Sequence, residues 1–387
     1  MRNKMTLGIK NYKDQLYICA KCGYCRVDCP IRKIKGFETS SPRAIFLLVK
    51  HYLDRKEPLP HELIEIIYQC TTCGLCREVC PTELDIPEII RSMRIDIVKE
   101  QGKPIKGFIK ATENVLSKGN PLGRDRDDRC DWVPDDIKID KNSLNMFYVG
   151  CMYSYWEMHS AELVVRILNK INHSFKIMEE EPCCGMLECW DGEINVAEEI
   201  ARENFKKFKA EGISTIITSC PGCYSTLKEI YPKLIDEEFK IEVLHITELL
   251  ARLIEENKIK FERENNITLT YHDPCHLGRF HGIYEAPRKI INALPGVKFI
   301  EMENIKGESN CCGGPLRTAF LDYAQEIGKN RAIEIVNSDA KYVTTICPQC
   351  SISLRQAGSI NELDFKVIDL MVLVAFALNL EEAEDYL

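Results

Sequence analysis

Nowhere in its 387 residues does this chain carry an apolar run long enough to cross a bilayer. The longest, residues 370–378, has nine members between Asp369 and Asn379, where roughly 20 are needed. It reads as a core or domain-interface helix, and any membrane link falls to a partner. A basic excess is missing as well. Lysines and arginines number 51 against 59 aspartates and glutamates, a net charge of -8 with the signs interspersed, which excludes the basic stripe that nucleic acid requires. No strand-like run leads into a G-x-G-x-x-G turn, so a flavin or nicotinamide would have to reside on another chain. The chain starts without a cleavable signal pattern, and its expected location is the cytoplasm. Against these absences stands one excess, twenty cysteines. With 45% hydrophobic residues to build full-sized cores, a small secreted disulfide scaffold is excluded in favour of metal ligation in a reducing compartment.

Eight of the twenty fall in two runs, Cys19-x2-Cys22-x2-Cys25-x3-Cys29-Pro30 and Cys70-x2-Cys73-x2-Cys76-x3-Cys80-Pro81. This is the bacterial ferredoxin spacing: three close thiolates take three corners of a 4Fe-4S cube, and the fourth reaches the other cube. The spacing assigns Cys19, Cys22, Cys25 and Cys80 to one cubane cluster and Cys70, Cys73, Cys76 and Cys29 to its neighbour. A pair of zinc ribbons is the competing reading, but four cysteines per run with a closing Cys-Pro suit zinc poorly. Between the runs, Ser41-Pro42 offers an N-cap and a first-turn proline, and helices are expected over 43–53, 63–68 and 87–100. The first 101 residues therefore read as an α-helical ferredoxin domain. Residues 102–145, with Gly-Asn-Pro-Leu-Gly and a charged 124–129 run, read as a solvated linker in which Cys130 is no ligand.

From residue 146 the chain repeats itself, as 146–260 and 261–387. The spacings are Cys151-x31-Cys183-Cys184-x35-Cys220-x2-Cys223 and Cys275-x35-Cys311-Cys312-x34-Cys347-x2-Cys350. Neighbouring cysteines do not readily bridge each other, so each vicinal pair must face some third partner. Strand-like runs at 144–149, 175–178 and 214–218 precede the cysteine groups of the first copy. Runs at 267–271, 297–300 and 342–346 do so in the second. Helical stretches at 157–172, 194–210, 286–293 and 319–336 lie between them, and apolar helices at 245–255 and 367–378 close each copy. Ligands in such parallel α/β units gather at the carboxyl ends of the strands. The fold class is α+β multidomain: an α-helical ferredoxin domain followed by two tandem α/β repeats.

Here the chain resembles the CCG-domain family, most closely the heterodisulfide reductases whose ferredoxin and CCG parts are fused. The resemblance implies a noncubane 4Fe-4S cluster in each repeat, held by Cys151, Cys183, Cys184, Cys220 and Cys223 and by Cys275, Cys311, Cys312, Cys347 and Cys350. There the disulfide of coenzyme M and coenzyme B is reduced, with Cys183, Cys184, Cys311 and Cys312 catalytic and both pairs expected to line one cavity between the repeats. It also implies a redox partner, either a membrane cytochrome b-type protein or a soluble flavoprotein. The related iron–sulfur subunits of glycolate, lactate and glycerol-3-phosphate dehydrogenases are the alternative, but they often have incomplete cysteine sets. Cys189 has no counterpart in the second copy and is left out. His272, His276, Arg279 and His281 around Cys275 offer proton donors or an anion clamp, with ordinary packing as the plainer reading. Arg317 and Lys306 carry the same ambiguity.

Overall fold

The computed structural model describes residues 8–55, 57–235 and 237–387. Ser41 begins the first long helix as its chemistry dictates: its Oγ accepts from the amide of Ala44 at 3.1 Å, and Pro42 opens the helix Pro42–Arg55. Helices His61–Tyr68 and Ile86–Gln101 follow. Asp85 caps the last of these by accepting from Glu88 N, and Gly102 ends it at φ 74°, where a side chain would be strained. Their apolar faces meet in a core of Ile45, Phe46, Val49, Ile67, Ile90 and Met93. Thiolate-bearing loops thus sit against a dry helical layer.

The stretch expected to be a solvated linker is instead packed. It holds a helix, Lys106–Lys118, that buries Phe108, Ala111, Thr112 and Val115. Phe108 lies 5.9 Å from the ring of Tyr68, Thr112 donates to Asp191, and Gly119 O accepts from Cys183 N at 3.1 Å. The turn residues and charges of 119–129 obscured an apolar series at helical spacing just before them.

Each repeat is a parallel sheet wrapped by helices. The first comprises β1 (Asn145–Tyr148), β2 (Thr215–Thr218) and β3 (Glu242–His245), in that spatial order. The second comprises β4 (Ile267–Tyr271), β5 (Val297–Phe299), β6 (Tyr342–Thr345) and β7 (Lys366–Asp369), ordered β5-β4-β6-β7. Registers match across the copies, with Thr218 beside His245 and Thr345 beside Asp369. The strand expected at 175–178 is reduced to a single bridge, Met146 to Lys176, at the place β5 holds in the second copy. Strands β3 and β7 escaped the sequence reading because each runs without a break into an apolar helix, so the two periods merge.

That final apolar run forms the helix Leu370–Ala377, which follows directly on β7, is buried along nearly its whole length and packs on the helix Met158–Lys170 of the first repeat. Among the described residues no helix is long and apolar enough to cross a membrane. Asp369 caps the helix, accepting from Met371 N at 2.8 Å and from the Tyr153 hydroxyl at 2.9 Å. Burial pushes its carboxyl up to about 7 from the ordinary 3.8. Between those values the unfolded chain has released a proton that the folded chain keeps, so this group's contribution to stability declines as pH rises from about 4 to 7. We expect Asp369→Asn, which keeps the capping oxygen, to flatten that part of the melting temperature profile; an unchanged profile would sink the idea.

Candidate metal centres

The eight ferredoxin-run cysteines separate into two pockets. Cys19, Cys22, Cys25 and Cys80 line one, closed by Pro42, Phe46 and Leu84. Cys29, Cys70, Cys73 and Cys76 line the other, closed by Ile31, Ile45 and Leu75. Cys29 and Cys80 both stand at a Cys-Pro step, and Pro30 opens a short helix that turns Cys29 away from its own run. Burial pushes the thiols of Cys25 and Cys70 up to about 11; a bound iron opposes this by drawing off the proton. Thr72 N points at Cys70 Sγ, 3.3 Å away.

Cys151 and Cys220 of the first repeat and Cys275 and Cys347 of the second sit just beyond strand ends. Gly150 turns the chain from β1 into Cys151 at φ 78°, and a Cβ there would lie 2.8 Å from Cys223 Sγ. Cys220 and Cys347 occupy N-cap positions, followed by Pro221 and Pro348 at the first helical positions. The glycines after the pairs are left-handed, Gly185 at 76° and Gly313 at 81°. Gly185 N faces Cys183 Sγ at 3.5 Å, Gly313 N faces Cys311 Sγ at 3.4 Å and Gly314 N faces Cys312 Sγ at 3.4 Å. Backbone dipoles aimed at sulfur favour the thiolate.

The five thiols of the first set form a continuous series, Cys151 to Cys183 to Cys184 to Cys223 to Cys220. In the second, Cys311, Cys312, Cys350 and Cys347 do the same, with Cys312 Sγ and Cys350 Sγ 3.2 Å apart and Cys275 beside them. Thiols donating to Cys183 and to Cys312 hold one member of each pair well below the usual thiol range. All twenty cysteines are free. Buried sulfurs that converge, with amides turned toward them, are a donor set suited to iron rather than to a disulfide.

The two vicinal pairs have different neighbours outside their own sets. Cys311 adjoins Cys73 of the second ferredoxin pocket, whereas Cys183 backs onto Gly119 and Tyr155. Tyr153, fully buried, reaches across the repeats to Ile346 O and Asp369. Burial and nearby acidic groups, Cys220 and Cys347 among them, hold its hydroxyl far above its usual range.

Of the secondary candidates, Arg279 is structural. Its guanidinium donates to the carbonyls of Cys73 (2.6 Å), Ser309 (2.5 Å) and Gly307 (3.3 Å), and its own carbonyl accepts from Arg77. It ties the second ferredoxin pocket to the loop before Cys311. His272 accepts from Arg331 at 3.1 Å, and one of its ring nitrogens lies within 4.8 Å of Cys312 Sγ and Cys350 Sγ. His276 stacks on Phe280 at 4.8 Å beside Trp190, and neither ring nitrogen has a protein partner. Burial holds both imidazoles neutral, pushed down to about 3. His281 meets Ser225 at 3.0 Å, Arg317 donates to Gln356 and Lys306 pairs with Glu285 at 2.7 Å. Cys189 is a core thiol 2% exposed, and Cys130 is half-buried beside Glu179.

Two residues carry structure here that the sequence reading missed. Arg94, 1% exposed, donates to the carbonyls of Ile67, Tyr68, Cys70 and Trp190 and so joins the second pocket to the first repeat. Arg129 pairs with Glu181, whose carboxylate also accepts from Val149 N and Gly150 N at 2.8 Å each. An arginine on an otherwise apolar helix face was the available signal for the first; a charged run concealed the second. Because Gly150 is held by that carboxylate at φ 78° and ψ 153°, a backbone conformation essentially confined to glycine, Gly150→Ala should cost about 1–3 kcal/mol and, with its Cβ against Cys223 Sγ, displace the first set's sulfurs. Iron content and melting temperature check it, and unchanged values for both would sink it.

The cysteine-rich CCG domain matches residues 146–228 and 269–355, and a 4Fe-4S dicluster domain matches 15–84. The matching component of the dihydromethanophenazine:CoB–CoM heterodisulfide reductase of Methanosarcina barkeri is 34% identical over 95% of both chains. The matching component of the fumarate reductase (CoM/CoB) of Methanothermobacter marburgensis is 31% identical over 95% of this chain and 74% of its own. A crystal structure of a hypothetical protein from Helicobacter pylori superposes with a TM-score of 0.56 at 13% identity, covering 96% of this chain and 76% of that one, a likeness of fold. With these two domain matches and 33–34% identity over 95% of its length, the chain belongs to the family of heterodisulfide reductase-like iron–sulfur oxidoreductases in which a ferredoxin domain is fused to two CCG domains.

Proposed function

We propose that this chain is the catalytic iron–sulfur component of a heterodisulfide reductase, reducing the disulfide of coenzyme M and coenzyme B to two thiols with two electrons and two protons. Cys19, Cys22, Cys25 and Cys80 hold one cubane 4Fe-4S cluster, and Cys29, Cys70, Cys73 and Cys76 hold the other. The two five-cysteine sets hold noncubane 4Fe-4S clusters. When bound, such clusters supply one-electron steps and an affinity for thiolate that water lacks. The observation that carries the reading is the junction of Cys73 with Cys311, which sets a vicinal pair of the second repeat against the ferredoxin domain. Arg279 fixes that junction, and Ile31, Leu75, Leu316 and Ile327 pack around it.

Electrons come from a partner, a membrane cytochrome b-type protein or a soluble flavoprotein, and the chain works in the cytoplasm or at a membrane through that partner. Holoprotein reduced by viologen and given the coenzyme disulfide should release two thiols per disulfide and contain about 16 irons per chain. No thiol release, or about eight irons, would sink the proposal. The second reading, an electron conduit for a flavin-linked dehydrogenase, is supported by the relative whose name pairs these coenzymes with fumarate. It is favoured instead if only a flavoprotein's substrate couple reoxidises the reduced chain.

A further inference from the structure

The chain's charge is not evenly shared. Residues 1–55 contain 12 lysines and arginines against 4 acids, or +8, leaving 39 against 55, or -16, for the rest. Fifteen large hydrophobic side chains are exposed among the described residues, and six of them fall in this same segment. Leu47 is one; the others are Tyr17, Ile18, Tyr24, Val27 and Phe37, the last the most exposed at 68%. Tyr17, Ile18, Tyr24 and Val27 lie within five residues of Cys22, the one exposed cysteine among the described residues. Ion pairs knit the patch together. Glu38, next to Phe37, binds Arg26 at 2.7 Å and Arg43 at 2.8 Å, and Arg43 donates to Lys21 O beside Cys22 at 3.4 Å. Lys10, Lys13 and Lys21 stand exposed in the same segment.

We propose that this basic, aromatic-studded face around Cys22 is the docking surface for an acidic one-electron carrier protein. The inference rests on the reading of the first ferredoxin pocket as a cluster site, and it adds where electrons enter and what charge the donor bears. Cys22 lies on the pocket's outer wall. Behind it Cys25 adjoins Cys76 of the second pocket, and Cys73 of that pocket adjoins Cys311. The line of sulfurs runs from surface to core and has this face as its exposed end. A lipid surface would match the charge and the aromatics but has no electron to give. A protein carrier uses both: its acids steer the encounter to the lysines, and apolar contact excludes water over the thiolates. Phe37 and Tyr24 supply the rigid aromatic area that interface centres favour.

The test uses holoprotein and chemically reduced flavodoxin, a small acidic carrier, with loss of flavodoxin hydroquinone followed by stopped flow. At low salt the bimolecular rate should fall about tenfold in Lys13→Glu/Lys21→Glu and its salt dependence should flatten. Reduction by viologen radical, a small cation, should not slow, which also shows that the variant is folded and loaded. A flavodoxin rate indifferent to the variant would overturn the proposal. So would flotation with phosphatidylglycerol vesicles that the variant abolishes while flavodoxin reduction persists. Neither readout involves the coenzyme disulfide, so failure here and failure of the reductase reading are separately visible.

Discussion

Replacing Cys311 and Cys312 together by serine should stop the proposed disulfide reduction and lower the irons from about 16 to about 12 per chain. Both sulfurs are nearly inaccessible, 4% exposed each, and each is held by neighbours that serine does not satisfy. Cys312 is 3.2 Å from Cys350 Sγ, and Cys311 adjoins Cys73. A serine hydroxyl keeps the volume but loses the soft, readily deprotonated ligand that iron requires. The ferredoxin pockets lie on other loops, so viologen should still bleach about eight irons' worth of cubane absorbance. Cys189→Ser is the matched control. That thiol is just as buried but belongs to the first repeat's core, and its loss should leave turnover within about twofold while costing some stability. Equal damage from both variants would mean that the vicinal pair is structural and not reactive.

Arg279→Ala should be among the most destabilising single changes in the chain, about 3 kcal/mol, because carbonyls of Cys73, Gly307 and Ser309 lose a buried donor at once, each costing about 1–3 kcal/mol unpaired and not additively. The same change loosens the seam between Cys73 and Cys311. Single-turnover oxidation of the reduced chain by the coenzyme disulfide should slow more than the iron content falls. Arg279→Lys keeps the charge without the planar fork and should recover only part of either effect. A melting temperature unmoved by Arg279→Ala would refute the seam, and a normal single-turnover rate in a loaded variant would refute its role in transfer.

Much of the candidate site was legible because ligand chemistry imposes spacing. The ferredoxin runs, the exchange of Cys29 and Cys80 and the two five-cysteine sets all follow from separations along the chain, and the structure groups the sulfurs along those lines. The helices at 43–53 and 87–100 appear within a few residues as Pro42–Arg55 and Ile86–Gln101, since capping residues mark both. Strands β3 and β7 were not legible, because four residues leading straight into an apolar helix carry no period of their own. The strand expected at 175–178 survives as one bridge: a β-branched or aromatic run is permissive of a strand, but pairing along the sheet edge decides whether one forms.

What the sequence alone determined is therefore which cysteines group together, since cluster ligation demands particular residue types at short separations. What only the tertiary structure decided is how the groups adjoin. Cys73 meets Cys311 rather than a member of the first repeat, Tyr153 bridges the two repeats, and Arg94 and Arg279 close seams across roughly 100 and 200 residues of chain. Contacts of that kind depend on how separate layers bury their faces against one another. Side-chain fit and buried hydrogen-bond satisfaction select the arrangement, and neither has a signature in local spacing.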